Sequence, residues 1–179
     1  MTKEKDLKRL FNLSLEDKLK NTIMMLIYLR KNGGAAAVRD YYGNAIPEYL
    51  LDYEGLGAGK RMMVKTWLKT SPHGYLKKIT EGIKEDQAFM VPLEKYQMLN
   101  ESKREIRTKI DCDFIRALEK SGKKFKCDFN VRDCYCKEAC TPMMQKIFEN
   151  FFLQSEVQYT ETGCIRIVLV PDGSAPEKE

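Results

Sequence analysis

The sequence predicts an α+β fold, with N-terminal helices packed on one face of a small antiparallel sheet. Three observations carry that expectation. Apolar residues recur at helical spacing through roughly the first hundred of 179 positions. Near residue 104 the period switches to two. All six cysteines lie after the switch, between Cys112 and Cys164.

Ser14, with Asp17 three residues on, resembles a capping box. It opens a helix carrying Leu15, Leu19, Ile23, Leu26 and Ile27, and Asn32-Gly33-Gly34 is expected to end it. A short helix follows from Ala35 to Gly43, and another from Ile46 to Tyr53 with Pro47 in its first turn. The next runs from about Ala58 to Lys69 and is expected to bury Met62, Met63 and Trp67. Ser71-Pro72-His73-Gly74 marks a break. Tyr75 to Ile83 and Pro92 to about Ser102 complete the helices.

Ile106, Thr108, Ile110, Cys112 and Phe114 alternate with charged residues, the pattern of a half-buried strand. Ile115 breaks the alternation and opens a short helix that Ser121-Gly122 closes. Phe125, Cys127, Phe129 and Val131 alternate again and predict a second strand. Thr141-Pro142 reads as a helix start, with Met143, Met144, Ile147, Phe148, Phe151 and Phe152 on its apolar face. Val157–Tyr159 and Cys164–Val170 predict a hairpin turning at Glu161-Thr162-Gly163. Residues 1–171 thus read as one α+β domain, helical over about 14–102 and cysteine-rich sheet over about 104–170, with a polar tail at 172–179.

The chain is 43% hydrophobic and 32% charged, the balance of a globular protein rather than a disordered one. The apolar run Ile23–Leu29 is too short to span a bilayer. The N-terminus lacks the pattern of a signal peptide, so the expected location is the cytoplasm, where thiols stay reduced. The net charge is +5, but acidic and basic residues interleave, which argues against a nucleic-acid-binding stripe.

Four cysteines, Cys127, Cys134, Cys136 and Cys140, fall within fourteen residues. Thiolate is the soft ligand that zinc and iron–sulfur clusters prefer. A strand end running into a helix start would converge Cys134, Cys136 and Cys140, and Cys164 from the final hairpin would be a fourth ligand or a partner in the pocket. The expected metal residues are Cys127, Cys134, Cys136, Cys140 and Cys164. Tetrahedral zinc is the simplest match; an iron–sulfur cluster uses the same atoms, although Cys-x-Cys-x3-Cys is not the usual ferredoxin spacing. Cys112 and Cys127 also fit as small apolar residues that continue a strand face.

Other features carry less. Gly55-Leu56-Gly57-Ala58-Gly59-Lys60-Arg61 fails as a phosphate loop, because Glu54 and Arg61 stand where glycine and a hydroxyl residue are needed. His73 is the single histidine, in a polar turn that suits a surface role. Of nine methionines, seven recur on apolar faces; such residues are core filler in most proteins, but they also line hydrophobic ligand pockets. Met62, Met63, Trp67, Met144 and Phe148 are the expected pocket residues here.

Leu56-Gly57-Ala58-Gly59-Lys60-Arg61, the Cys134–Cys140 segment before a helix, and Val157–Cys164 in the last strands together resemble the 4-vinyl reductase-like predicted hydrocarbon-binding domain family. That resemblance implies an α/β fold of the kind shared with transport-particle subunits, an apolar pocket, a cysteine-bound metal beside it, and dimerisation through helices. The expected function is therefore binding or sensing of a small apolar ligand beside a cysteine-ligated metal. The alternatives are an iron–sulfur redox or accessory protein of anaerobic metabolism, and a thiol-dependent hydrolase.

Overall fold

The computed structural model describes residues 3–49, 58–88 and 90–171, and the side chains of 12–49, 62–88 and 90–171. Helix α1 (Lys3–Asp40) leads into a π-helical turn, Tyr41–Ala45, and a helical stretch at 46–49. Then come α2 (Ala58–Thr70), α3 (Pro72–Asp86) and a 3-10 turn at Leu93–Lys95. Strands β1 (Tyr96–Glu101) and β2 (Glu105–Asp111) precede α4 (Asp113–Lys124). A helical rod over 131–150 is built from Val131–Asp133, a π-helical stretch Cys134–Cys140, and α5 (Thr141–Asn150). Strands β3 (Gln154–Tyr159) and β4 (Gly163–Leu169) end the fold.

The α+β class follows from this arrangement. The four strands form one antiparallel sheet in the order β1-β2-β4-β3, so each hairpin lies on one side and β2 pairs with β4 at the centre. Ile110 and Tyr159 flank Cys164 in register, and Thr108 and Val157 flank Arg166. With a period of two, Ile106, Thr108, Ile110, Cys164, Arg166 and Val168 share the inner face. β2 shows the alternation cleanly, with Ile106, Thr108 and Ile110 buried and Arg107 exposed. On the outer face Ile167 is buried. It pairs with Arg107 and Glu156, whose long stems can shield it from water.

Two apolar cores lie on the inner side. One joins Ile23, Leu26 and Val38 of α1, Tyr42, Phe114, Ile115 and Leu118 of α4, and Val131, Cys134, Tyr135 and Ala139 of the rod. The other joins Leu68 of α2, Tyr75 and Leu76 of α3, Ile106, Val168 and Val170, and Met144, Phe148 and Leu153. Cys140 and Met143 pack against both. The Tyr75 hydroxyl donates to the Phe151 carbonyl at 2.8 Å, so the second core holds its buried phenol satisfied.

Asn32-Gly33-Gly34 interrupts the helix as expected: the backbone at Gly34 is non-helical (φ 64°), so α1 is two helices meeting at a kink. Other expectations are corrected. The expected helix at 92–102 is instead the 3-10 turn plus β1, because Tyr96–Glu101 finds a strand partner in β2. The expected strand at 125–131 is instead a loop over 125–130, and Val131 opens the helical rod. Gly122 does not close α4 but sits buried inside it, against Val131. The helix closes beyond it, with Lys126 at φ 53°, Lys126 N–H on the Lys123 carbonyl and Cys127 N–H on the Gly122 carbonyl. That closure reverses the chain and leaves no extended segment for the sheet to recruit. Cys112 and Phe114 continue the strand pattern in sequence, yet they lie at the cap and first turn of α4. The expected helix 46–53 is described only to 49, and the tail 172–179 lies outside the described residues.

Candidate functional site

The rod over 131–150 starts at Asn130, whose side-chain oxygen accepts the Asp133 N–H at 3.0 Å. Thr141 is not a helix cap, because helical backbone runs unbroken through Cys140 and Thr141. The Thr141 N–H instead reaches the Cys136 carbonyl five residues back, the signature of a π turn. Pro142 supplies a reason: it has no N–H for the Glu138 carbonyl, and its ring crowds that carbonyl, which favours a wider turn. Gly43, in the other π turn, approaches Pro142 so closely that an added Cβ would lie 3.0 Å from the Pro142 Cβ.

A cavity of about 60 Å³ lies between this rod and the inner face of the sheet. By the same measure one water needs about 10–15 Å³, so the cavity suits a ligand of a few heavy atoms. Cys136 and Cys140 line it from the rod, Cys164 from β4 and Cys112 from the start of α4. Met90, Val91, Phe114, Met144 and Val157 make most of the remaining wall apolar. The Tyr159 hydroxyl bonds Thr141 Oγ1 at 2.8 Å and the Cys136 carbonyl at 3.3 Å, which ties β3 to the π stretch at the cavity wall. Arg132 donates to the Thr160 and Glu161 carbonyls and so holds the β3–β4 turn against the rod.

Arg166 is the charged residue of the wall. It is 8% exposed and projects from the inner face of β4. Its Nη1 donates to Gln87 Oε1 at 3.2 Å, while its Nε has no partner among the described residues. Gln87, just past α3, also accepts from the Tyr96 hydroxyl at 3.4 Å and donates to the Met144 sulfur at 3.0 Å.

All six cysteines are free thiols. Burial pushes Cys140 up to about 12, against a pull downward from Arg166. Burial also raises Cys136, with Cys140 and Cys112 adding to the shift. Cys164 is raised by burial and lowered in part by Arg166 and Arg132. Burial raises Cys112 as well, opposed by the Ile115 N–H at the start of α4. Desolvation therefore disfavours thiolate at every thiol of the cavity.

The structure brings Cys136, Cys140 and Cys164 to one cavity and adds Cys112, whose place on an apolar strand pattern concealed it. Cys127 and Cys134 pack in the α1–α4 core instead. Burial raises Cys134 to about 12, with Glu138 adding to the shift. Glu138 is itself paired with Arg30 at 3.3 Å. Among the described residues, no three His, Cys, Asp or Glu side chains converge closely enough to hold a metal ion.

Of the expected pocket residues, Met144 lines the cavity and Phe148 packs in the adjoining core. Met62 and Met63 are each 71% exposed on α2, which buries Leu68 instead. Trp67, also expected to be buried, is 41% exposed and meets Tyr75 edge-on at 5.5 Å. Arg166 and Gln87 were missed; the signal available was an arginine on the inward parity of an apolar strand. His73 sits at the surface, bonded to the Ser102 carbonyl and paired with Glu101 at 3.2 Å. Of the glycine-rich Leu56–Arg61 segment, 58–61 form the first turn of α2, and 56–57 lie outside the described residues. Among the described residues no helix is long and apolar enough to cross a membrane. No family model, no curated protein and no solved structure matches this chain.

Proposed function

We propose that this chain is a small-molecule-binding or sensing module whose ligand occupies the cavity between the 131–150 rod and the sheet. The supporting observation is the cavity itself: apolar, lined by four thiols, and placed where the two cores meet. The π stretch Cys134–Cys140 points the same way, because such turns recur at functional sites.

A cysteine-held zinc is the second reading, favoured by the gathering of Cys112, Cys136, Cys140 and Cys164 on one cavity. As placed these side chains do not converge, so an ion would have to draw them inward and displace their protons. The same atoms suit an iron–sulfur cluster. A thiol hydrolase has less support, since burial opposes thiolate formation and the one histidine lies at the surface. Exposed Met62, Met63 and Trp67 offer an apolar face on α2 for a homodimer. Cytoplasmic residence fits the unpaired thiols.

Native mass spectrometry and elemental analysis of anaerobically purified protein separate these readings. A bound organic molecule without metal supports the first. About one zinc per chain, lost in Cys136→Ala, supports the second. Iron with sulfide moves the function to redox chemistry. A protein that carries nothing and takes up neither butyrate nor butyramide is not a binding module.

A further inference from the structure

Arg166 is the residue that the apolar reading of the cavity leaves unexplained. A guanidinium stays charged at any pH a cell meets. Placing it at 8% exposure costs several kcal/mol unless a counter-charge or a full set of acceptors offsets the lost hydration. Its one hydrogen-bond partner among the described residues is the neutral Gln87 amide oxygen, and no Asp or Glu pairs with it there. The Nε donor is buried and unpartnered in the cavity wall. Its strand neighbours in register are Thr108 and Val157, both uncharged.

Gln87 is not free to do more. Its oxygen is already shared with the Tyr96 hydroxyl, and its nitrogen faces the Met144 sulfur. Arg166 thus carries a donor with no protein partner among the described residues, on a side chain that lines a space walled mainly by sulfur, methyl and aromatic groups. A planar fork of N–H groups matches a carboxylate, which accepts two parallel bonds. The apolar wall then takes the ligand's hydrocarbon body, and the volume sets its size at a few heavy atoms.

From this we infer that the cavity binds a small carboxylate, its anionic head on Arg166 and its apolar body against Cys136, Cys140, Met144 and Val157. The inference rests on the cavity being a binding site and adds the charge and size of what it holds. Inorganic anions share the head chemistry but lack the body.

The test titrates the full chain with sodium butyrate, with butyramide as its uncharged isostere, and with sodium phosphate, by calorimetry at fixed ionic strength. In the wild type, butyrate should bind about ten- to a hundred-fold tighter than butyramide, the range of a charge-assisted hydrogen bond. Phosphate should bind more weakly than butyrate. Arg166→Met should erase the preference while butyramide still binds, and Arg166→Lys should keep part of it. Should Arg166→Met fail to fold, the wild-type comparison and the lysine variant decide the matter. Equal binding of butyrate and butyramide overturns the anion inference and leaves the cavity reading standing. Phosphate binding as tightly as butyrate means an inorganic-anion site and overturns the carboxylate. If none of the three binds, the cavity reading falls and this inference falls with it.

Discussion

Gly163 at the start of β4 stands against the Ile110 carbonyl oxygen of β2 so closely that a methyl group added to it would overlap that oxygen. The same methyl would lie 2.9 Å from the Cys112 N–H, which bonds the Thr162 carbonyl. The obstacle is backbone, so it cannot swing aside. Gly163→Ala should therefore destabilise the fold by about 2–3 kcal/mol, at the upper end of overpacking costs. Denaturant unfolding measures this. A loss under about 0.5 kcal/mol, the size of a neutral surface change, would mean that the strands are not this close.

Arg166→Met exchanges a buried, poorly paired cation for an apolar side chain of similar length. Replacing buried charges with well-packed apolar groups is often stabilising by about 1–4 kcal/mol. The ligand-free variant should melt higher than the ligand-free wild type. A lower melting temperature would show that Arg166 has a protein partner as strong as a salt bridge.

The buried thiols predict how stability depends on pH. Cys140 and Cys134 are each raised to about 12 in the folded chain, whereas an unburied thiol loses its proton near 9.0. Below pH 9 both states keep these protons and the stabilisation is complete. From pH 9 toward 12 the unfolded chain gives up protons that the folded chain retains, so stability falls as pH rises. Melting curves across this range should descend, and Cys140→Val should flatten the slope. A flat wild-type profile above pH 9 would contradict the burial of these thiols.

Asn130→Ala removes the side-chain acceptor of the Asp133 N–H at the head of the rod. The expected cost is about 1 kcal/mol. Asp should substitute for Asn130 with little loss, and urea unfolding of the three proteins gives the comparison. An alanine variant as stable as the wild type would mean that water caps this helix equally well.

The legible part of the fold was the part with a clear period. Ile106, Thr108 and Ile110 alternate in sequence and in burial, and the Cys164–Val170 segment forms the strand its pattern suggests. The fold hid where period and contact diverge. Phe125 to Val131 alternates as a strand would, but Lys126 adopts a left-handed backbone that closes α4, a conformation no glycine announced. Tyr96–Glu101 has no inward alternation and becomes a strand only through its pairing with β2. The cysteine density pointed to the segment of the rod that lines the cavity. Which thiols meet was not legible, because Cys134 and Cys136 do not share a face in a helix as they would in a strand. Cys136 turns toward the sheet and Cys134 toward α1 and α4.

The π stretch sets the angular phase of everything after it in the rod. Each residue of an α-helix turns the chain by about 100°. A π turn takes up one residue more than an α turn, so it acts as a one-residue offset between the two ends of a single helix. Just before it and in its first residues, Val131, Cys134 and Tyr135 face α1 and α4; downstream, Met144 and Phe148 face the sheet and α3. One continuous helix thus serves two cores that lie in different directions. Shortening the stretch by a residue would restore ordinary helical winding and rotate Met144 and Phe148 away from the sheet. The chain meets the geometry of its two cores with an extra residue rather than a loop, and the cavity lies where the phase changes.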